Sequence, residues 1–215
     1  MWVSFEANYV NTRRQLRGVA ESLIAGPQYR SSSTIRLAVR PDGFAAVTIP
    51  VAVHGRDLVL PNDAVPLEGP MSLVAEAAGI VAGPPEGVYT IADPLSPNAD
   101  LRLDAHAVEW VNRSHYAGGY ALKSFLPDCH PVLWPEHFDV AVTENEVNYG
   151  VSAGDEQHPM PYAYVGPRSV PTGDFWNASF GALYPLDHGI DVDRLTSRIA
   201  DFFERGRREL SAVSP

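Results

Sequence analysis

The sequence predicts an α+β protein in which a largely antiparallel sheet, formed by two β regions, packs with amphipathic helices. Two regions of alternating, β-branched sequence, at 34–60 and 138–165, are bounded by turn-forming residues. Three stretches that start near residues 11, 104 and 193 carry apolar residues at helical spacing. Because the strands follow one another within each β region and do not alternate with helices, an α+β class is favoured over a parallel α/β class.

The first helix is expected to begin at Asn11 or Thr12, either of which can cap it, and to end at Gly26-Pro27. Apolar residues at positions 16, 19, 20, 23 and 24 form its buried face. The first β region is then expected to form an antiparallel meander with turns at 41–43 and 55–57. Pro50 is expected at an edge or at a break between strands, because it cannot donate a ladder hydrogen bond.

A short helix is expected after Pro70, and a longer helix is expected to follow an Asp104 cap. The pair Gly118-Gly119 inside the longer helix indicates either a close helix contact or a kink. Between the two helices, residues 83–100 contain four prolines but also an apolar stretch at 88–91. We interpret them as an ordered crossing within a single domain spanning 1–215, and as the one weak candidate for a subdomain boundary.

The second β region predicts a hairpin of strands 138–143 and 147–151, joined by a polar turn. Two shorter strands are expected at 162–165 and 175–178. A final amphipathic helix, capped by Asp191 or Asp193, completes the predicted fold.

Composition excludes several classes of protein. The chain has 215 residues, of which 45% are hydrophobic, so it can bury a sizeable core. Sixteen Lys and Arg residues against 26 Asp and Glu residues give a formal net charge of −10, so nucleic acid is not expected as a partner. A single cysteine, Cys129, excludes an internal disulfide, and no apolar stretch is long enough to span a membrane. We therefore expect a soluble, cytoplasmic protein that is neither secreted nor bound to a membrane.

Aromatic residues are concentrated in the second half of the chain. Three of the four Trp and six of the nine Tyr residues lie between positions 106 and 188. This density is explained either by core packing or by an aromatic pocket for a small molecule. The pocket hypothesis assigns ligand contacts to Trp134, Tyr149, Tyr162, Tyr164 and Trp176.

The segment 133–139, Leu-Trp-Pro-Glu-His-Phe-Asp, holds the densest group of polar and aromatic residues. If a strand begins after Pro135, His137 and Asp139 share one of its faces and Glu136 lies on the other. An imidazole beside a carboxylate can bind a divalent metal. Asp155 or His158 would complete the ligand set, and Glu136, His137 and Asp139 are then the catalytic candidates, with Glu136 as a general base. The alternative is that His137 and Asp139 only bond to each other and to the backbone.

Four sequence blocks carry a family resemblance. They are Leu-Trp-Pro-Glu-His-Phe-Asp at 133–139, Asn-Tyr-Gly-Val-Ser-Ala-Gly-Asp at 148–155, Pro-Tyr-Ala-Tyr-Val-Gly-Pro at 161–167 and Phe-Trp-Asn-Ala-Ser-Phe-Gly-Ala at 175–182. With them the chain resembles an uncharacterised family of bacterial proteins over most of its length. It is more distantly similar to a second bacterial family of unknown function, through residues 130–132 and 138–143. The resemblance implies an intact bacterial domain and no particular activity, cofactor or catalytic residue.

The sequence leaves three functional hypotheses. The first is a small-molecule-binding domain with the aromatic pocket described above. The second is a metal-dependent hydrolase that uses a metal-bound water, with the divalent metal as cofactor. The third is a non-catalytic structural protein whose aromatic residues are buried in a homo-oligomer.

Overall fold

The computed structural model describes residues 5–91 and 93–212, which divide into two compact units. The first unit runs up to Asn112 and takes in Leu133–Phe138. The second unit comprises Arg113–Val132 and the described residues from Asp139 onward. The prediction of a single domain stays a prediction. The weak boundary predicted at 83–100 lies wholly inside the first unit, whereas the division falls within a helix, after Asn112.

The N-terminal helix of the first unit is longer than the sequence predicted. Helix α1 spans Phe5–Val19, a π-helical turn spans Ala20–Ala25, and helix α2 continues through Gly26–Ser32. The interpretation of Gly26-Pro27 as a helix end is therefore wrong. Pro27 lies in the first turn of α2, where its missing N–H is not needed. A side chain at Gly26 would overlap the carbonyl group of Gly83, so this glycine is set by packing.

The first β region forms the predicted meander. Its strands are β1 (Leu37–Arg40), β2 (Gly43–Ala46), β3 (Ala52–His54), β4 (Asp57–Leu60) and β5 (Asp63–Pro66). Each strand pairs antiparallel with the next, and Pro50 lies in the bend between β2 and β3, as expected. A buried row on these strands, which includes Leu37, Phe44 and Leu58, forms part of the core of the first unit.

The rest of the first unit contains one short helix, two pairing strands and a further sheet strand. Strand β6 (Glu68–Pro70) precedes helix α3 (Met71–Ala77) and pairs antiparallel with β7 (Asp100–Arg102), which the sequence did not predict. Helix α4 (Ala105–Phe125) begins after the predicted Asp104 cap, whose Oδ1 accepts a hydrogen bond from the Ala107 N–H at 2.9 Å. Strand β8 (Val132–Trp134) pairs with β1, so the sheet order in this unit is β8-β1-β2-β3-β4-β5.

The second unit contains four antiparallel strands and the C-terminal helix. Strands β9 (Asp139–Glu144), β10 (Val147–Ser152), β11 (Tyr162–Pro167) and β12 (Ala182–Pro185) pair in chain order. The strand predicted at 175–178 is wrong, because these residues lie in an irregular loop before β12, in which Ala178 forms an isolated bridge with Gly181. Helix α5 (Val192–Ser211) is capped by Asp191, whose side chain accepts a hydrogen bond from the Arg194 N–H. The α+β prediction, with antiparallel strands from both β regions, is thus confirmed.

Over residues 5–91 and 93–212, every helix is too short or too polar to cross a bilayer.

Candidate functional site

A polar cleft lies in the first unit and has a volume of about 630 Å³. Four parts of the chain line it: the β3–β4 turn, the β5–β6 connection, the end of β7 with the start of α4, and α1 through Asn8. Leu67 and Leu103 are buried and contribute the apolar part of its lining. A volume of ~300–1,000 Å³ is usual for small-molecule sites, so the cleft has room for a small ligand.

Charged side chains of both signs line this cleft. The carboxylates belong to Asp57, Glu68 and Asp104, and the guanidinium groups belong to Arg56 and Arg102. Asp104 is engaged as the cap of α4, and the Arg102 guanidinium is paired with the Asp100 carboxylate at 2.6 Å.

Three further charged side chains of the cleft have no partner among the described residues. Within the part of the chain that the structure describes, the side chains of Arg56, Asp57 and Glu68 have neither a hydrogen bond nor an ion pair. Two carboxylates and one guanidinium group therefore remain available to a ligand.

Two buried side chains of α1 position one wall of the cleft. Oε1 of Gln15 accepts a hydrogen bond from the Arg102 N–H at 2.8 Å, and Oγ1 of Thr12 accepts one from the Asp104 N–H at 3.1 Å. Because Thr12 and Gln15 are themselves buried, these bonds hold the β7–α4 connection against a rigid helix. A site built on fixed elements needs little ordering when it binds.

Five of the predicted site residues form a separate polar network in the second unit. The Tyr164 hydroxyl donates a hydrogen bond to Oδ2 of Asp139, and the Tyr162 hydroxyl donates one to Oδ2 of Asp155 at 2.5 Å. The His158 ring packs edge-on against the Tyr162 ring with centroids 5.5 Å apart. These five predicted residues thus lie close together in the structure, although they do not line the cleft.

The strand register explains how this network forms. Ser152 of β10 pairs with both Asp139 and Tyr162, and Gly150 pairs with Tyr164, so these side chains share one face of three neighbouring strands. A Cβ atom at Gly150 would lie 2.6 Å from the Tyr164 ring. The absence of a side chain at Gly150 therefore lets the Tyr164 ring cross β10 and reach Asp139 on β9.

The electrostatics of the network favour a structural role. Burial, together with the neighbouring Asp139 carboxylate, holds the pKa of Tyr164 well above its usual range. Burial also raises the pKa of Tyr162, and the Asp155 carboxylate adds to this effect. Burial opposes ionisation of Asp155, but the Tyr162 hydroxyl and the His158 and Gln157 N–H groups outweigh it and lower the pKa of that carboxyl. Both phenols therefore stay neutral donors. Tyr162 ties the loop after β10 to β11, and Tyr164 joins β11 to the start of β9.

Two other predicted aromatic residues lie in the apolar packing of the second unit. The Tyr149 ring is buried against Phe125 and Phe203, with centroids 4.7 and 5.8 Å away. Trp176 packs edge-on against Phe175 at 4.9 Å. Tyr149 therefore belongs to the core of the second unit, and the half-buried Trp176 packs at its margin through Phe175.

The remaining predicted residues, Trp134, Glu136 and His137, belong to the first unit. The Arg36 guanidinium lies 5.9 Å from the centre of the Trp134 ring, and Nε2 of His137 lies 3.5 Å from Oε1 of Glu136. Residues 135–138 form a turn, and β9 begins only at Asp139. The condition that a strand begins after Pro135 is therefore not met, and His137 and Asp139 do not share a strand face.

Exposure also separates the two proposed metal ligands of that segment. The His137 side chain is 74% exposed, whereas Asp139 is 6% exposed and bonded to Tyr164. Across residues 5–91 and 93–212, no group of three or more His, Cys, Asp or Glu side chains is arranged to hold a metal ion. The set His137, Asp139, Asp155 and His158 is thus not assembled as a metal centre in the described structure.

The sequence did not indicate the cleft as a site. Its lining comes from four separated segments, and each charged residue stands in a turn, a strand end or a helix cap that needs no function to explain it. A local motif therefore could not have revealed it. The clearest available signal was the concentration of charge at 54–57, next to the Gly55 turn.

Comparison with known proteins finds no relative of this chain. No protein-family model matches the chain, and neither the curated proteins nor the solved structures contain a match.

Proposed function

We propose that the first unit binds a small zwitterionic molecule of the amino-acid class in the polar cleft. The proposal rests on unpaired charges of both signs in the cleft. Within the described chain, the positive charge of Arg56 and the negative charges of Asp57 and Glu68 have no partners. A guanidinium group recognises a carboxylate with two parallel hydrogen bonds, and carboxylates recognise an ammonium group. A molecule that carries both groups matches the lining better than one with a single charge.

The size and character of the cleft support a small ligand. Its volume of about 630 Å³ is ample for an amino acid, and the buried Leu67 and Leu103 offer apolar surface to a short side chain. The charged side chains are exposed, so each ion pair contributes only ~0.2–1 kcal/mol. We therefore expect binding on the order of millimolar affinity, set by several weak contacts together.

This proposal keeps the class of function that the sequence suggested and changes the site. The aromatic residues predicted to line a pocket are replaced by charged residues of the first unit. Binding requires no acid, base or metal, so the proposal assigns no catalytic residue.

A thermal-shift panel tests the proposal. The free amino acids, putrescine and succinate are each added at millimolar concentration, and the unfolding temperature is measured. We expect at least one amino acid to raise Tm by roughly 1–4 °C, because binding to the folded state adds stability by mass action. Putrescine, which lacks a carboxylate, and succinate, which lacks an ammonium group, should each have a smaller effect.

A matched pair of variants locates the effect. Glu68→Gln removes a cleft carboxylate, whereas Glu76→Gln removes an exposed carboxylate on α3 outside the lining. The shift should become smaller in Glu68→Gln and stay unchanged in Glu76→Gln. If no amino acid raises Tm, or if both variants respond like the parent protein, the proposal is wrong.

A further inference from the structure

A buried polar cluster in the first unit takes no part in the cleft. It consists of Arg17 on α1, Glu21 on the π-helical turn, and Tyr89 on the crossing segment, by which we mean residues 83–91. Each has a buried side-chain atom that lacks a hydrogen-bond partner within the described residues: Nε of Arg17, Oε1 of Glu21 and the Tyr89 hydroxyl. Buried polar atoms without partners are rare in native proteins, so three in one cluster require an explanation.

Glu21 is the most unusual member of this cluster. The residue is 1% exposed, and its side chain has no ion pair within the part of the chain described. Burial raises the pKa of Glu21 from 4.5 to about 7; the Arg17 guanidinium lowers it and the Asp93 carboxylate raises it. The carboxyl group thus changes its charge near neutral pH. It also lies on a π-helical turn, a feature that is frequent at functional sites.

The crossing segment is docked directly on this turn. The Gly83 N–H donates a hydrogen bond to the Ser22 carbonyl at 3.0 Å, next to Glu21. Arg30 donates to the carbonyls of Val81 and Gly83. At the other end, Tyr89 is close enough to Glu21 for the Glu21 carboxylate to raise the pKa of the Tyr89 phenol, after burial itself.

Arg17 connects the buried cluster to the chain that follows the crossing segment. Its Nη2 donates a hydrogen bond to the Asp93 carbonyl at 2.7 Å, and Arg14 forms an ion pair with the Asp93 carboxylate at 2.5 Å. The charged groups that act on Glu21 are therefore Arg17 from α1 and Asp93. Glu136 acts on Tyr89 in the same sense as Glu21 does.

We propose that Glu21 is a buried proton-binding site that controls the docking of the crossing segment on the π-helical turn. With its proton, the carboxyl group is neutral and tolerates burial. Without its proton, it becomes a buried charge with no hydrogen-bond partner among the described residues, an unfavourable state. Water must then reach the carboxylate, or Arg17 must turn toward it. Entry of water requires the crossing segment to lift from the π-helical turn, where the Gly83 N–H is bonded to the Ser22 carbonyl, and a turn of Arg17 gives up its bond to Asp93.

Amide hydrogen exchange of the crossing segment tests this proposal. Labelling times are adjusted for the known pH dependence of intrinsic exchange, and protection is compared at about pH 6 and about pH 8, on either side of the Glu21 transition near 7. We expect protection of the Gly83 amide, which donates to the Ser22 carbonyl, to fall at least ~10-fold at the higher pH, since a factor of 10 corresponds to a modest change in opening free energy. The β9–β10 hairpin, which lies in the second unit, should show no such change.

The control variant is Glu21→Gln, which keeps the shape of the side chain and cannot lose a charge. Its crossing segment should remain protected at both pH values. The proposal is overturned if protection in the parent protein is independent of pH, or if Glu21→Gln loses protection to the same extent.

A second measurement reads the proton directly in the unaltered protein. Infrared spectra recorded across the pH range follow the C=O band of a protonated carboxylic acid. One such band should persist well above the range in which ordinary carboxyl groups ionise and should disappear near pH 7. Complete loss of all protonated carboxyl bands by about pH 5.5 would also overturn the proposal, and this readout does not depend on the folding of any variant.

Discussion

Two adjacent glycines on α4 differ in the space available for a Cβ atom. A Cβ at Gly118 would lie 2.7 Å from the Val151 side chain and 2.9 Å from that of Val140. At Gly119 the nearest atom, on Val140, is 4.0 Å away. The sequence left a close contact and a kink as alternatives for this pair. The structure shows a close contact at Gly118, where a bare backbone lets α4 approach β9 and β10.

This difference predicts opposite effects of two alanine substitutions. Gly118→Ala should destabilise the protein by about 1–2 kcal/mol, because overpacking against two valines outweighs the gain in helix propensity. Gly119→Ala should stabilise it by up to ~1 kcal/mol, since only the propensity gain applies. Urea unfolding of both variants measures the effect. A Gly118→Ala protein as stable as Gly119→Ala would contradict the close contact.

Among single residues, the sequence predicted which polar groups come together better than it predicted what they do. Asp139, Asp155, His158, Tyr162 and Tyr164 were selected from their types and spacing, and they meet in one network. Their roles depend on the pairing of β9, β10 and β11, which sets the partner of each oxygen atom. Register is a tertiary property, so spacing along the chain could not show that both phenols bond to carboxylates.

At the scale of elements, one buried side chain joins α2 to the first β region. Nε2 of Gln28 donates hydrogen bonds to the Thr34 and Arg36 carbonyls, at 3.1 and 2.9 Å. Its Oε1 accepts hydrogen bonds from the Val47 and Thr48 N–H groups, at 2.5 and 3.0 Å. Gln28 is fully buried, so its amide replaces strand pairing for chain segments that have no other strand beside them.

Replacement of this amide should be costly. Gln28→Leu leaves four backbone groups without their partner and buries no amide in their place, and we expect a loss of about 2–4 kcal/mol in unfolding free energy. Gln157→Leu, at an exposed position in the second unit, serves as the control and should change stability by less than ~0.5 kcal/mol. Thermal or urea unfolding of both variants provides the comparison, and equal stabilities would contradict the role of Gln28.

Elements with strong local signals were predicted well, and the errors have physical causes. The meander, the β9–β10 hairpin and the Asp104 and Asp191 caps follow from turn and capping chemistry. The predicted helix end at Gly26-Pro27 is wrong because proline also suits the first turn of a helix. The glycine at position 26 is required by the close approach of the Gly83 backbone, which the sequence does not show. Strand β7 is three residues long and exists through its pairing with β6, so no periodicity could reveal it.

At the scale of the whole molecule, the chain carries a net charge of −10 and still buries the Glu21 carboxyl group. Surplus negative charge and burial both oppose ionisation of this group. The folded state therefore holds the Glu21 proton to about pH 7, whereas an unfolded chain releases it near 4.5. A carboxyl group with a raised pKa stabilises the folded state least at high pH, so its contribution falls as pH rises from about 4.5 to about 7.

The pH dependence of global stability follows from this linkage. Urea unfolding free energies of the parent protein and Glu21→Gln should diverge between about pH 5 and about pH 8, with the variant gaining about 2–3 kcal/mol relative to the parent. Other titrating groups are common to both proteins and cancel in the difference. A difference that does not change with pH would show that Glu21 ionises normally in the folded state.

The two units contain different polar and aromatic features. The first unit contains the cleft and the Glu21 cluster, and the second contains the phenol–carboxylate network and the aromatic core around Tyr149. The concentration of aromatic residues in the sequence favoured a binding site in the second unit. Aromatic side chains serve core packing as well as ligand binding, so their concentration does not distinguish the two. The charges that we propose to bind the ligand are dispersed along the first unit and meet only in the folded chain.

Calorimetric titration of the cleft tests the proposed function most directly. The amino acid that gives the largest thermal shift is titrated into the parent protein and into Arg56→Gln and Arg40→Gln, which remove exposed guanidinium groups inside and outside the cleft. We predict saturable binding to one site per chain, weakened roughly 2–5-fold by Arg56→Gln, equivalent to about 0.4–1 kcal/mol, and unchanged by Arg40→Gln. Absence of saturable heat in the parent protein, or equal affinity in all three proteins, would contradict zwitterion binding in this cleft.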